Sequence, residues 1–188
     1  MNRCPRLLGT ALLALLMLQA ETGYKTLTRY PISGTEGWDY ITLDAAARRL
    51  YVSHGTQVDV LDADSGKAAG VIPDTPGVHG IAIATGMNRG FTSNGKENKV
   101  SIFDTKTLRL IEKIDVGKGP DGIFFDPGSK RVFTNNHGSD DITAIDAASG
   151  KVAGTVKVGG AGEQTVAGRN GLLYVNLEDT AEVVAFDP

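Results

Sequence analysis

Cysteine is almost absent from this sequence of 188 residues, whose single copy is Cys4. A chain with one cysteine cannot close an internal disulfide, bind zinc through paired cysteines or attach a haem through C-x-x-C-H. The sequence also lacks the patterns of a phosphate-binding loop, of a serine nucleophile elbow and of an H-E-x-x-H zinc site. It therefore carries no familiar local motif of catalysis.

A large excess of either charge is missing as well. Lys and Arg number 19 against 22 Asp and Glu, which gives a net charge of −3. Domains that bind nucleic acid generally present a basic face, so we expect no nucleic-acid partner. Like charges do not run together, which argues against a charged tail or a membrane-binding patch.

Long apolar stretches are lacking except at the N-terminus. Arg3 and Arg6 precede an apolar run from Leu7 to Leu18, and Ala20 follows shortly after. A basic start, an apolar run too short to span a bilayer and a small residue are typical of a secretory leader. We predict a signal peptide over 1–20 and a periplasmic or secreted mature chain with no other membrane contact. An uncleaved anchor is the alternative.

Repetition is what the sequence does contain. An aromatic residue recurs at intervals of 40 to 42 residues, at Tyr51, Phe91, Phe133 and Tyr174. An aspartate that opens a turn recurs with it, at Asp62, Asp104, Asp146 and Asp187. Each unit divides into four short apolar or alternating runs, and no apolar period of 3.6 residues indicates helical repeats. Four antiparallel strands in about 40 residues are the blade of a β-propeller.

The blocks around the aromatic residue carry a family resemblance. They read RLYVSH, RGFTSN, RVFTNN and LLYVNL, and corners such as DADSGK and DAASGK follow them. Together with the Gly-Pro-x-Gly segment at Gly119–Gly122, these blocks resemble the YVTN repeats of YncE-like secreted bacterial propellers. The resemblance covers almost the whole predicted mature chain, although the other units begin with GWDY, GVHG and AGEQ instead. Propellers of this family usually have seven blades.

We therefore predict an all-β chain, a β-propeller of about four four-stranded antiparallel blades that forms a partial ring of a seven-bladed propeller. The blades are expected near residues 36–75, 77–118, 119–160 and 161–188. The last unit has room for three strands only, and residues 25–32 read as an outer strand that could latch onto it. An open partial ring would expose apolar blade faces and favour self-association.

Candidate site residues follow from the repeat, because the first strand of each propeller blade lines the central channel. Four equivalent polar residues, here named the mouth residues, begin these predicted strands: Asp39, His79, Asp121 and Glu163. They could bind a ligand, or a divalent cation on the channel axis. The alternative is that they cap loops and bond to neighbouring blades. Trp38 could stack on a ligand or pack between blades.

The ends of the second strands supply further polar residues. Ser53, Ser93, Asn135 and Asn176 are expected to satisfy turn backbone, and His54 and His137 to be loop histidines.

Two classes of function fit these expectations. The first is a non-catalytic propeller that binds a small ligand or a protein and needs no cofactor. The second is a lactonase-like or metal-assisted hydrolase, or a redox-associated propeller, with its site on the channel. The sequence favours the first class.

Overall fold

The computed structural model describes residues 23–35 and 37–188, so the predicted signal peptide lies outside the described residues. Every regular element in this part of the chain is a β-strand, as predicted, and the strands form four antiparallel sheets. Over the same residues, no helix is long and apolar enough to cross a membrane.

Each sheet is one blade, and its strands follow chain order from the channel outward. Blade 1 consists of β1 Trp38–Asp44, β2 Arg49–His54, β3 Gln57–Asp62 and β4 Ala68–Ile72. Blade 2 consists of β5 Val78–Ala84, β6 Arg89–Asn94, β7 Lys99–Asp104 and β8 Leu110–Asp115. Blade 3 consists of β9 Pro120–Asp126, β10 Arg131–Asn136, β11 Asp141–Asp146 and β12 Val152–Lys157. Blade 4 consists of β13 Gly162–Ala167, β14 Leu173–Leu177 and β15 Glu182–Phe186.

The recurring aspartate ends the third strand and builds the corner that follows it. Asp104 accepts hydrogen bonds from the backbone N–H and the hydroxyl of Thr107, and these bonds lower the pKa of its carboxyl. Leu108 donates its N–H to the Asp104 carbonyl at 2.8 Å and adopts a φ of 59°. Gly66 and Gly150 have positive φ at the equivalent positions. The corner thus forms with or without glycine, although leucine is strained in this conformation.

The apolar core lies between the blades. Tyr51 is fully buried and its ring centroid is 5.8 Å from that of Phe103 in blade 2. Phe133 is buried in the same way against Phe186 of blade 4, also at 5.8 Å. Phe91 packs in a third cluster with Ile145 of blade 3. In blades 1 to 3, the recurring aromatic residue is therefore the side chain that the blade buries against the next one.

Glycines allow the innermost strands to approach closely. A Cβ atom on Gly122 would lie 1.9 Å from the carbonyl oxygen of Glu163 in the next blade. A Cβ atom on Gly80 would lie 2.7 Å from the Ile123 side chain. Since real Cβ atoms do not come that close, the channel wall at these two junctions requires glycine.

The four blades form an open arc. Within the described residues, β1, β5, β9 and β13 each pack against their neighbours, whereas no comparable packing joins β1 and β13 at the two ends. Residues 25–32, expected as an outer strand, have no strand structure, and β15 is an unpaired edge in the part of the chain that is described. The latch of residues 25–32 onto blade 4 therefore stays a possibility raised by the sequence, while Tyr30 of this stretch bonds to the backbone of Asp64 beside blade 1.

Candidate functional site at the channel mouth

The four mouth residues occupy one structural position. Each is the second residue of the innermost strand of its blade. In all four blades, the pairing with the second strand becomes irregular at this point, for example between Val78 and Ile81 in blade 2 and between Gly162 and Thr165 in blade 4. Such bulges bend a strand and redirect a side chain. The repeat therefore presents a variable side chain at one fixed place at the channel mouth.

Polar residues of the second strands fasten these bulges. Ser93 accepts a hydrogen bond from the N–H of Gly80 at 2.9 Å and donates its hydroxyl to the carbonyl of Asp121 in the next blade. The Asn135 amide donates to the carbonyl of Glu163 in blade 4 at 2.8 Å. These side chains form hydrogen bonds with backbone groups, as expected, but the backbone is that of the channel wall rather than of a turn. Ser93 and Asn135 each bond to a carbonyl of the following blade.

Three mouth residues from three blades meet in one cluster. The Nδ1 atom of His79 lies 2.7 Å from the Oδ2 atom of Asp39 and 3.9 Å from the Oδ1 atom of Asp121. The side chains of Asp39 and His79 are 41% and 38% exposed, whereas that of Asp121 is 22% exposed. Two of the three groups are therefore open to an incoming ligand, and the third lies deeper.

The fourth mouth residue is joined to the first blade by a side chain that the sequence reading missed. The hydroxyl of Tyr40 donates a hydrogen bond to the Oε1 atom of Glu163, which links the two end blades across the channel. Burial and the bond to Glu163 raise the pKa of the Tyr40 hydroxyl well above its usual value. A signal was available, because Tyr40 stands where blades 2 and 3 have Gly80 and Gly122.

The mouth is acidic. Burial raises the pKa of Asp121, and the nearby carboxylates of Glu163 and Asp39 raise it further, while His79 acts in the opposite direction. Asp39 and Asp121 flank the imidazole of His79, and the carboxylate of Glu163 acts on Asp121, so the site offers many hydrogen-bond acceptors and few donors. It can best accommodate a group that carries positive charge or several N–H donors.

Below the mouth, the innermost strands of all four blades enclose a channel of about 190 Å³. Its wall is formed by residues of the innermost strands, among them Tyr40, Ile81, Ile123, Phe124 and Glu163. A larger groove of about 360 Å³ lies between blades 1 and 2, beside the turns that follow β1 and β5. We place the candidate site in the channel because residues from every blade line it.

A divalent cation, which the sequence suggested as an alternative occupant of the channel axis, finds no ready ligand set among the described residues. Among residues 23–35 and 37–188, no three His, Cys, Asp or Glu side chains converge in a way that could hold a metal ion.

The remaining candidates lie as follows. The ring of Trp38 stacks on that of His54 in the same blade, with centroids 4.7 Å apart and planes at 15°. His54 in turn pairs with Asp59 at 2.8 Å. One face of the indole is thus occupied within blade 1, while Trp38 remains 42% exposed. His137 lies 3.3 Å from a carboxylate oxygen of Glu178 and is half-exposed.

Comparison with known proteins identifies the fold. No protein-family model matches the chain, and no curated protein sequence matches it. Among solved structures, hydrazine synthase from Kuenenia stuttgartiensis aligns with a TM-score of 0.76 at 20% identity, over 88% of this chain and 49% of that chain. The structure of U3-55K aligns with a TM-score of 0.67 at 13% identity, over 83% of this chain and 53% of that chain.

The WD40 repeats of RRP9 align in the same way, with a TM-score of 0.67 at 12% identity, over 83% of this chain and 52% of that chain. The present chain thus spans about half the length of the solved structures that it matches. With four antiparallel blades around a common channel, the chain has the β-propeller fold.

Proposed function

We propose that this chain is an exported, non-catalytic propeller of the YVTN, YncE-like type that binds a ligand or a partner protein at the channel mouth. The observation that carries the proposal is the convergence of equivalent side chains from different blades. Asp39, His79 and Asp121 form one cluster, and Tyr40 holds Glu163 across the channel. The bulges give each of these side chains the same place without dictating its chemistry.

Charge defines the class of ligand. Three carboxylates and one histidine at the mouth favour an ammonium or guanidinium group. The partly buried Asp121 would gain most from such a partner, because burial disfavours its charge. The channel that continues below the mouth would accommodate the aliphatic part of the same ligand. A lysine or arginine side chain on a peptide or protein combines both features.

The proposed family and export rest on the sequence. The YVTN-like blocks supply Ser93 and Asn135, whose bonds to the channel backbone give these blocks a structural purpose. Export rests on the basic and apolar N-terminus. Mass spectrometry of protein recovered from the periplasm should show a first residue near Glu21, and a chain that retains Met1 would contradict export with cleavage.

The binding experiment compares a tetralysine peptide with a tetraglutamate peptide by isothermal titration calorimetry. We expect the chain to bind tetralysine and not tetraglutamate. Replacing three carboxylates together, through Asp39→Asn, Asp121→Asn and Glu163→Gln, should weaken tetralysine binding at least about tenfold. Glu112→Gln is the matched control, since Glu112 is an exposed carboxylate on the outer strand β8.

Unchanged binding in the triple variant, or an equal loss in the control, would move the site away from the mouth. Failure of tetralysine to bind the parent chain at all would contradict the proposed ligand class.

A further inference from the structure

The spacing of the repeat indicates which strand of a blade residues 28–32 correspond to. The outer strands β4, β8 and β12 each begin ten residues before the innermost strand of the following blade. Counting ten residues back from Trp38, where β1 begins, leads to Thr28. Residues 28–32, here called the N-terminal segment, therefore correspond to the outer strand of a blade that would precede blade 1.

The contacts of the N-terminal segment support this correspondence. The Tyr30 ring lies against Gly66, and its hydroxyl donates to the carbonyl of Asp64 at 3.1 Å. Tyr30 is equivalent in the repeat to Gly70 and Glu112, and Gly66 is equivalent to Leu108 and Gly150. Equivalent contacts exist between blades 1 and 2, where Gly70 meets Leu108, and between blades 2 and 3, where Glu112 meets Gly150. The N-terminal segment thus lies where the outer strand of a preceding blade would lie, next to blade 1, although the other three strands of that blade are not present among the described residues.

Blade 4 has three strands and a vacant outer edge among the described residues. Val183 on β15 is 68% exposed, whereas the equivalent Val58, Val100 and Ile142 are fully buried. In blades 1 to 3, these buried residues lie opposite an apolar residue of the outer strand: Ile72, Ile114 and Val156. The corresponding residue of the N-terminal segment is Ile32. Ile32 would therefore lie opposite Val183 if the segment paired with β15.

The facing surface of blade 1 is exposed as well. Ile41 and Leu43 of β1 are 62% and 56% exposed, whereas Ile81, equivalent to Ile41, is 5% exposed because blade 1 covers it. On blade 4, Val166, Tyr174 and Val183 line an apolar groove of about 190 Å³. The two exposed faces at the ends of the arc are thus the two halves of one more blade junction.

We propose that the occupant of both ends is a second copy of this chain. Blade 4 of one copy packs on blade 1 of the other, and the N-terminal segment of the second copy pairs with β15 as the fourth strand of that blade. Strand addition to a free sheet edge is a general mode of association. Two such junctions, related by a two-fold axis, would close a ring of eight blades with no free edge.

The same junction continues the interface already present three times within the chain, which is why a copy of this chain fits it. Pro31 suits the segment, since an outermost strand tolerates proline. The closed ring would place two sets of mouth residues around one channel. The association itself does not depend on what the mouth binds.

Sedimentation velocity of the full chain over a range of concentrations tests the association. We expect the mass of two copies, and a dissociation constant that rises at least about tenfold with Val183→Glu, because the junction would bury a charge. Ile111→Glu is the matched control, since Ile111 is 49% exposed on the outer strand β8, away from both ends of the arc. A single-copy mass at every concentration would overturn the proposal.

Cross-linking distinguishes pairing between copies from a latch within one copy. Two single variants, Ile32→Cys and Val183→Cys, are prepared with Cys4 replaced by serine, mixed and oxidised. Directly opposite residues on paired strands are close enough for a disulfide, so we expect a two-chain product on a non-reducing gel. Ile111→Cys mixed with Ile32→Cys should give far less. A third variant carries both Ile32→Cys and Val183→Cys. If its disulfide forms only within single chains, the segment latches internally and the proposal is overturned.

Discussion

The junctions inside the arc and the faces at its two ends use the same positions of one repeat but differ in what covers them. Val100 is fully buried against blade 3, while its counterpart Val183 is 68% exposed. Full burial of a valine stabilises a fold by about 1.5–3 kcal/mol, and this gain depends on the presence of the neighbour. The repeat determines where apolar side chains stand, whereas the next blade determines whether they stabilise the protein.

The largest expected difference lies between equivalent aromatic residues. Phe91→Ala, at an inner junction, should reduce the free energy of unfolding by about 3–5 kcal/mol, because it leaves a cavity between blades 2 and 3. Tyr174→Ala, on the open face of blade 4, should cost about 1 kcal/mol or less when single copies are studied at high dilution. Urea denaturation measures both values. Equal losses would mean that the open face is covered within one copy.

A methyl group added to the channel wall should have the next largest effect. Gly122→Ala would place a Cβ atom against the carbonyl of Glu163, so the junction of blades 3 and 4 must open, at a cost of about 1–3 kcal/mol. Gly154→Ala on the outer strand β12 is the control, since no atom lies within 4 Å of a Cβ at that place. Thermal melting of both variants is sufficient. Tolerance of Gly122→Ala would contradict the close approach of β9 and β13.

Asp121 should make stability depend on pH in a defined direction. Because burial raises the pKa of its carboxyl, Asp121 favours the folded state at pH values below its unfolded pKa of about 3.9 and loses that contribution as pH rises through the folded pKa. Asp121→Asn should therefore melt a few degrees higher than the parent chain at pH 7 and show no such gain at pH 3. A variant that is less stable at pH 7 would show that the pairing with His79 outweighs burial.

The smallest effect is expected at the bond between the end blades. Tyr40→Phe removes only the hydroxyl that donates to Glu163, so the free energy of unfolding should fall by about 1 kcal/mol or less. The variant should weaken tetralysine binding only slightly, because all mouth carboxylates remain. Urea denaturation and calorimetry provide the two measurements. A loss as large as that of Phe91→Ala would mean that this bond holds the arc together.

The fold could be predicted from the sequence because junctions between blades require an apolar residue at a fixed place in every unit. Phe91 and Phe133 fill such places, and the turn-forming Asp104 marks the end of the third strand. The mouth residues followed from the same alignment, and Asp39, His79 and Asp121 do come together. Residues one repeat apart in the sequence are related by a rotation about the channel axis, so equivalent residues of the innermost strands face this axis.

Other features depend on contacts that cross from one unit to the next. The hydrogen bond from Ser93 to the backbone of Asp121 and the bond from Tyr40 to Glu163 join residues that are distant in sequence. Alignment of the units marks Tyr40 as unusual, but it does not identify the partner of either residue. Residues 25–32 have strand-like composition but no strand structure, because a strand needs a partner that the described arc does not bring beside it.

The bonds that hold the channel wall have an evolutionary consequence. Ser93 and Asn135 bind carbonyl oxygens of the neighbouring blade, which every amino acid possesses, rather than the side chains that project from it. The residue at each mouth position can therefore change without loss of the junction, as the aspartate, histidine and glutamate in this one chain illustrate. Duplication of a blade would copy the side chain that bonds to the neighbouring backbone and would leave the mouth residue free to change. The fold could thus be kept while the binding specificity evolves.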